Sequence, residues 1–142
     1  MKEKFCRFLS IFAVAIFVAG CPFMGLAYEE DLVNGYAVWA TDTIEQAAVV
    51  KKDKKGSGGV AVVPAMVFAY GWNDDFILSK QHPLNERDIK VDTSITNWYI
   101  VEVVSGKVHG PLSEGEFNKL RAELKVPAEL SFKKIISFKT SR

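Results

Sequence analysis

The chain has 142 residues, the size of one domain rather than two. A hydrophobic fraction of 49% and a charged fraction of 25% exclude a disordered chain. A formal net charge of +1 excludes a strongly basic nucleic-acid binder, so no nucleic-acid partner is expected.

The N-terminus has the layout of an export signal. Lys2, Lys4 and Arg7 stand against one acid, Glu3, and Phe8 to Ala19 is an uncharged apolar run. That run alone is shorter than the roughly 20 apolar residues a helix needs to cross a bilayer. Val18-Ala19-Gly20-Cys21 resembles a bacterial lipobox, in which small residues precede a cysteine that is lipidated and becomes the new N-terminus. Pro22 departs from that motif. A second small-residue site at Gly25-Leu26-Ala27 would release a soluble periplasmic or secreted chain beginning at Tyr28. A third reading leaves the segment uncleaved, since Phe8 to Ala27 carries no charge. The expected organisation is a signal over 1–20, a tether over 21–34 and one β-rich domain over 35–142.

Three of the 18 basic residues and one of the 17 acids lie in the signal, so the remainder sits near −1. Cys6 lies in the signal and Cys21 at its edge. No cysteine follows, so the domain has no disulfide framework and must rest on its hydrophobic core.

Tyr28 to Asn34 is acidic and unpatterned. Gly35 to Thr41 is rich in β-prone residues, and Ala47 to Lys51 forms a second strand candidate. Lys51 to Gly59 is a loop by composition, solvated by lysines and loosened by glycines. Val60 to Val63 is an apolar run stopped by Pro64. Met66 to Trp72 and Phe76 to Gln81 read as a hairpin around Asn73-Asp74-Asp75. Residues 83–96 are polar and read as a long surface loop. Asn97 to Val104 carries apolar residues on both faces, the pattern of a strand covered on both sides. Lys107 to His109 is expected to pair back, and Gly110-Pro111-Leu112 to lead into a helix. Ser113 and Glu116 have capping-box spacing; Phe117, Leu120 and Leu124 form one stripe; Pro127 stops the helix. Leu130 to Phe138 reads as a closing edge strand protected by Lys133 and Lys134. The expected class is α+β: a mainly antiparallel sheet of about six to eight short strands with one C-terminal helix on a face.

Few residues combine into chemistry. His82 and His109 lie far apart in sequence, so no metal site is expected. His82 reads as ending a strand and His109 as part of a turn. Ser57 lies between glycines, but Lys55 occupies the place where a nucleophile elbow needs its first glycine. Gly56-Ser57-Gly58-Gly59-Val60-Ala61 matches a variant dinucleotide fingerprint in form, but it follows lysines and precedes a strand, the reverse of what the pyrophosphate needs. No cofactor is expected. Asp74-Asp75 reads as a turn before a carboxylate pair. The lysines at 51, 52, 54 and 55 read as a solvated tip before an anionic-lipid contact. Trp39, Trp72 and Trp98 read as core before a ligand groove.

Three segments taken together, Gly71 to Pro83, Asn97 to Val101 and Gly110 to Phe117, carry an Asn-Asp-x-Phe-Ile, Lys-Gln-x-Pro, Tyr-Ile and Gly-Pro-Leu pattern. This pattern resembles an uncharacterised, domain-of-unknown-function family of small bacterial lipoproteins. The resemblance covers roughly residues 35–135. It implies lipidation at Cys21 and an envelope location, and brings no catalytic residues with it. Most shared positions look architectural. Lys80 and Gln81 are the exception, because neighbours in a strand point to opposite faces and one must face inward. Lys80, Gln81, His82 and the 83–96 loop are therefore the expected binding surface.

The reading expected first is a non-enzymatic envelope module that binds another protein as an accessory or inhibitor. Its membrane contact would run through the lipid anchor. The alternatives are a small-molecule or ion binder using the Trp-bearing sheet or the carboxylate turn, and a small envelope hydrolase using His82 or Asp74-Asp75.

Overall fold

The computed structural model describes residues 25–135, apart from 86, 88 and 89. Cys21 and the leader lie outside the described residues, as does the end of the expected closing strand.

Eleven strands are described: β1 (Tyr28–Asp31), β2 (Tyr36–Ala40), β3 (Ala48–Lys52), β4 (Gly59–Val63), β5 (Val67–Trp72), β6 (Phe76–Gln81), β7 (Leu84–Asn85), β8 (Lys90–Val91), β9 (Asn97–Glu102), β10 (Val108–Leu112) and β11 (Lys133–Lys134). Among the described residues one α-helix, α1 (Glu114–Glu123), lies between the last two, and a short 3-10 turn (Ile44–Gln46) joins β2 to β3. All pairings are antiparallel. The first sheet runs β1-β2-β3-β4, the second β10-β9-β6-β5-β11, and β7 pairs with β8 alone. The α+β class is as the sequence indicated. Division of the strands between two facing sheets was not legible in it.

The sheets face each other across a core of Tyr36, Val38, Val49, Val63, Val67, Tyr70, Ile77, Tyr99 and Val101, with smaller side chains between them. Alternation places these residues inward on their strands. The opposite face of the second sheet carries Leu78 and Ile100, onto which α1 sets Phe117. β9 is thus covered on both sides, as its two apolar faces required.

The capping box forms: Ser113 Oγ accepts from the Glu116 amide at 3.3 Å, and the Glu116 carboxylate accepts from the Ser113 amide at 2.8 Å. The helix ends before Pro127. Lys125 takes a left-handed conformation (φ 55), Val126 N–H donates to Arg121 O, and Lys125 N–H donates to Ala122 O. This closes the last turn without a glycine. The Arg121 guanidinium then donates to the carbonyls of Pro127 and Leu130, fixing the return of the chain. That return crosses β5 at Gly71, where an added Cβ would lie 2.0 Å from Ser131 O.

Tyr28–Asp31, inside the stretch read as tether, forms an edge strand of the first sheet. Its short acidic sequence hid a two-residue alternation: Tyr28 and Glu30 are half-buried while Glu29 and Asp31 are exposed. The 83–96 loop contains the β7–β8 ladder. Gly110-Pro111-Leu112 belongs to β10, and the closing strand is described only over two lysines.

The sandwich has two distinct ends. Tyr28 pairs with Ala40, Val67 N–H donates to Ala47 O, and Gln81 pairs with Asn97 at one end. Asp31, Tyr36, Lys52 and Gly59 lie at the other, with the 73–75 and 103–107 turns. There Gly106 sits beside the Tyr36 hydroxyl.

Candidate functional site

The expected trio does not share a surface. Lys80 points to the helix side of the second sheet. Its ammonium lies 3.9 Å from the Trp98 ring centroid and 4.5 Å from that of Phe132. Burial pushes this lysine below its usual range; Glu114 opposes the shift and Lys134 adds to it. Gln81 points the other way and is buried. It donates to Ala65 O at 2.9 Å and accepts from Asn97 at 3.0 Å. His82 is also buried, stacked on Phe68 at 4.1 Å, with Nδ1 2.7 Å from Ile95 O. Gln81 and His82 therefore pin the chain segments around them, and neither is presented to solvent. The alternation of a strand made this split foreseeable; the loop that buries His82 left no sequence signal.

The other sequence candidates fall into ordinary roles. Asn73 Oδ1 accepts from the amides of Asp75 and Phe76, so Asn73-Asp74-Asp75 is an Asx turn. Trp98 and Trp72 pack against the two principal cores, and Trp39 packs on the outer face of the first sheet. Lys52 is paired with Glu29 (2.9 Å) and Asp31, and Lys51 donates to Asn34 O and lies over the Tyr36 ring. Lys54 and Lys55 remain exposed at the tip. Among the described residues, no three of His, Cys, Asp and Glu gather as a metal site.

His109 is not in a turn. It lies on β10, with Nε2 2.6 Å from Glu102 Oε1. The His109 hydrogen bond holds the Glu102 carboxyl below the usual carboxylate range, with burial opposing and His109 and Lys107 reinforcing. Ser105 Oγ donates to the same carboxylate at 3.4 Å. The acid thus stands between serine and histidine, so the hydroxyl meets a carboxylate and not the imidazole that a catalytic triad places beside its serine. A shallow hollow of about 440 Å³ adjoins, lined by Asp75, Phe76, Glu102, Val104 and Ser105.

The sheet edges differ more sharply than any pocket. On β1, Tyr28 donates to Glu30 at 2.7 Å and meets the Tyr70 hydroxyl at 2.8 Å, while Tyr70 also donates to Glu30. Lys133 pairs with Glu30 at 2.9 Å. Burial would raise the Glu30 carboxyl, but the Tyr28 and Lys133 hydrogen bonds and the lysine charge outweigh it and hold the group low. Burial and the adjacent Glu30 push the Tyr28 hydroxyl up to about 12. This cluster ties the first sheet to β5 and β11 of the second. The β10 edge is broken by a register shift between His109 and Leu112, and β11 is two lysines. β4 has neither charge nor cover; its one irregularity is a register shift against β3, where Val49 and Val50 face Val63 and Ala61 and Val62 is the extra residue. It reads Gly-Val-Ala-Val-Val, its first three residues are exposed, and Val60 keeps 73% of its surface. Among the described residues no strand pairs with its outer side. The sequence pattern marks this run as a strand but not as an edge.

Residues 33–136 match a family described as protein of unknown function (DUF3997). The chain belongs to this family. No curated protein and no solved structure matches the chain. The match contains β2 through β11, and so both β4 and Lys80 lie within the family's extent while β1 precedes it.

Proposed function

We propose that this chain is an exported envelope module with no catalytic role, anchored through Cys21, and that it binds another protein by accepting an extended segment along β4. The observation that carries the reading is the exposed, uncharged Gly59-Val60-Ala61 edge of β4, which lies before the bulge at Val62 and which no other described strand covers. A strand edge presents a row of backbone donors and acceptors, which proteins normally blunt with charge, proline, bulges or cover. An incoming strand takes its affinity from those main-chain groups and its specificity from alternate side chains. Lys54 and Lys55, just before β4, favour acidic residues at one end of that segment. The basic-apolar leader and the Val-Ala-Gly-Cys sequence support export and anchoring.

The test is affinity capture from envelopes cross-linked in the living cell, using wild type, the double variant Val60→Lys/Ala61→Lys, and Val104→Lys. The expected result is a specific protein recovered with wild type and Val104→Lys and lost with the double variant. Recovery that ignores the β4 change places binding elsewhere; consistent recovery of nothing specific overturns the binding reading.

A further inference from the structure

We infer that the end of the sandwich holding Tyr28 is a membrane-contacting surface, seated on the same bilayer that would hold the anchor; this rests on the anchoring read above. Two independent features converge on that end. The first is where the chain enters. Six residues separate Cys21 from Tyr28, the first residue of β1. The seven steps from Cys21 to Tyr28 reach at most about 24 Å even when fully extended, little more than the roughly 20 Å length of a six-residue strand. The entry end therefore stays nearest the lipid, and turning the domain over would hold the linker almost fully stretched.

The second feature is what that end displays. Leu26, Leu84 and Ile95 are three of the five large apolar side chains exposed on the described surface, at 37%, 43% and 48%. Leu26 is two residues from β1. Leu84 and Ile95 belong to the segment fixed at this end by His82, whose amide donates to Met66 O and whose ring meets Ile95 O. Exposed Pro64 and Ala65 lie on the crossover between the sheets at the same end. The described charges there are mixed: Arg87 and Lys90 stand against Asp42, Glu45 and Asp92. The contact is thus apolar and interfacial, and not an attraction to anionic head groups. The opposite end holds Lys54 and Lys55, so the lysine tip points away from the membrane.

The test uses the full chain expressed and processed in a bacterium, with a photo-reactive residue in place of Leu84, Ile95 or Val104. Val104 is 86% exposed and lies at the far end, so it matches the other two in apolar character. Isolated membranes are irradiated and the protein is analysed by mass spectrometry. Lipid adducts at positions 84 and 95, with background at 104, are expected, unchanged by high salt. Equal adducts at all three positions, or adducts at 104 alone, in protein carrying acyl chains on Cys21 overturn the orientation. Protein without acyl chains overturns the anchoring read itself, and this inference with it.

Discussion

Along one side of the first sheet, β1 carries Glu29, Glu30 and Asp31 and is held by Lys52, Lys133 and Tyr70; along the other, β4 carries exposed Gly59, Val60 and Ala61 and no charge. Both are short strands at the rim of one sheet, and each could template a foreign strand. β1 is closed twice, by charge on its outer face and by a buried hydroxyl-carboxylate cluster that joins the second sheet. β4 has a bulge at Val62 and Pro64 at its end, but no charge and no cover over Gly59, Val60 and Ala61. On the proposed reading, a fold that secures one rim with charge and a buried cluster and leaves the other uncharged separates the work of stability from the work of recognition.

The largest effect is expected on the closed side. Tyr70 is fully buried beneath β1, stacked on Trp72 at 5.7 Å and bonded to Glu30. Tyr70→Ala should cost about 3–5 kcal/mol in urea unfolding, as aromatic truncations in cores do. Glu30→Gln keeps the shape and removes the charge that Lys133 and two tyrosines share. It should cost about 1–2 kcal/mol, because charge-assisted hydrogen bonds are weakened and not replaced. A Glu30→Gln protein as stable as wild type would dissolve the distinction between the two rims.

The pH dependence sharpens the same contrast. Glu30 is held below its ordinary 4.5. Its stabilisation is therefore complete above that value and is lost as pH falls through the lowered one. Acid unfolding of wild type should show this loss, and Glu30→Gln should flatten it. Tyr28 runs the other way. Its hydroxyl stabilises while protonated, so its contribution is present below the ordinary 10.0 and disappears as pH rises toward about 12. Burial raises Tyr36 and Tyr99 as well, so ultraviolet titration should find several tyrosines ionising late, and Tyr28→Phe should remove one of them.

The smallest effect on stability is expected at β4. Val60→Lys replaces a side chain already exposed, and should move the unfolding free energy by less than about 0.5 kcal/mol. A larger loss would mean that Val60 serves the fold and not a partner.

Sequence reading reached the class, most of the strands, the 66–81 hairpin, the capped helix and the doubly covered β9, because each depends on local periodicity or on turn chemistry. What it did not reach has mixed causes. β1 pairs with its neighbour β2, but its acidic run conceals the alternation, and the Glu30–Lys133 pair that secures it spans most of the chain. His109 was misplaced although Glu102 is only seven residues away, because β10 continues through Gly110-Pro111-Leu112, which read as the lead into a helix. The trio at 80–82 was legible as residues of interest but not as a site, since one side chain turns to the helix, one to the interior, and the third under a loop. The exposure of β4 follows from strand order, and strand order is not written in any local segment.

The most direct measurement places a photo-reactive residue at Val60, or at Val104 as the control, and irradiates living cells producing the full chain. The account predicts a discrete protein adduct from position 60, abolished by Ala61→Lys, with no matching adduct from position 104. An identical adduct pattern from both positions, or a position 60 adduct that survives Ala61→Lys, would contradict it.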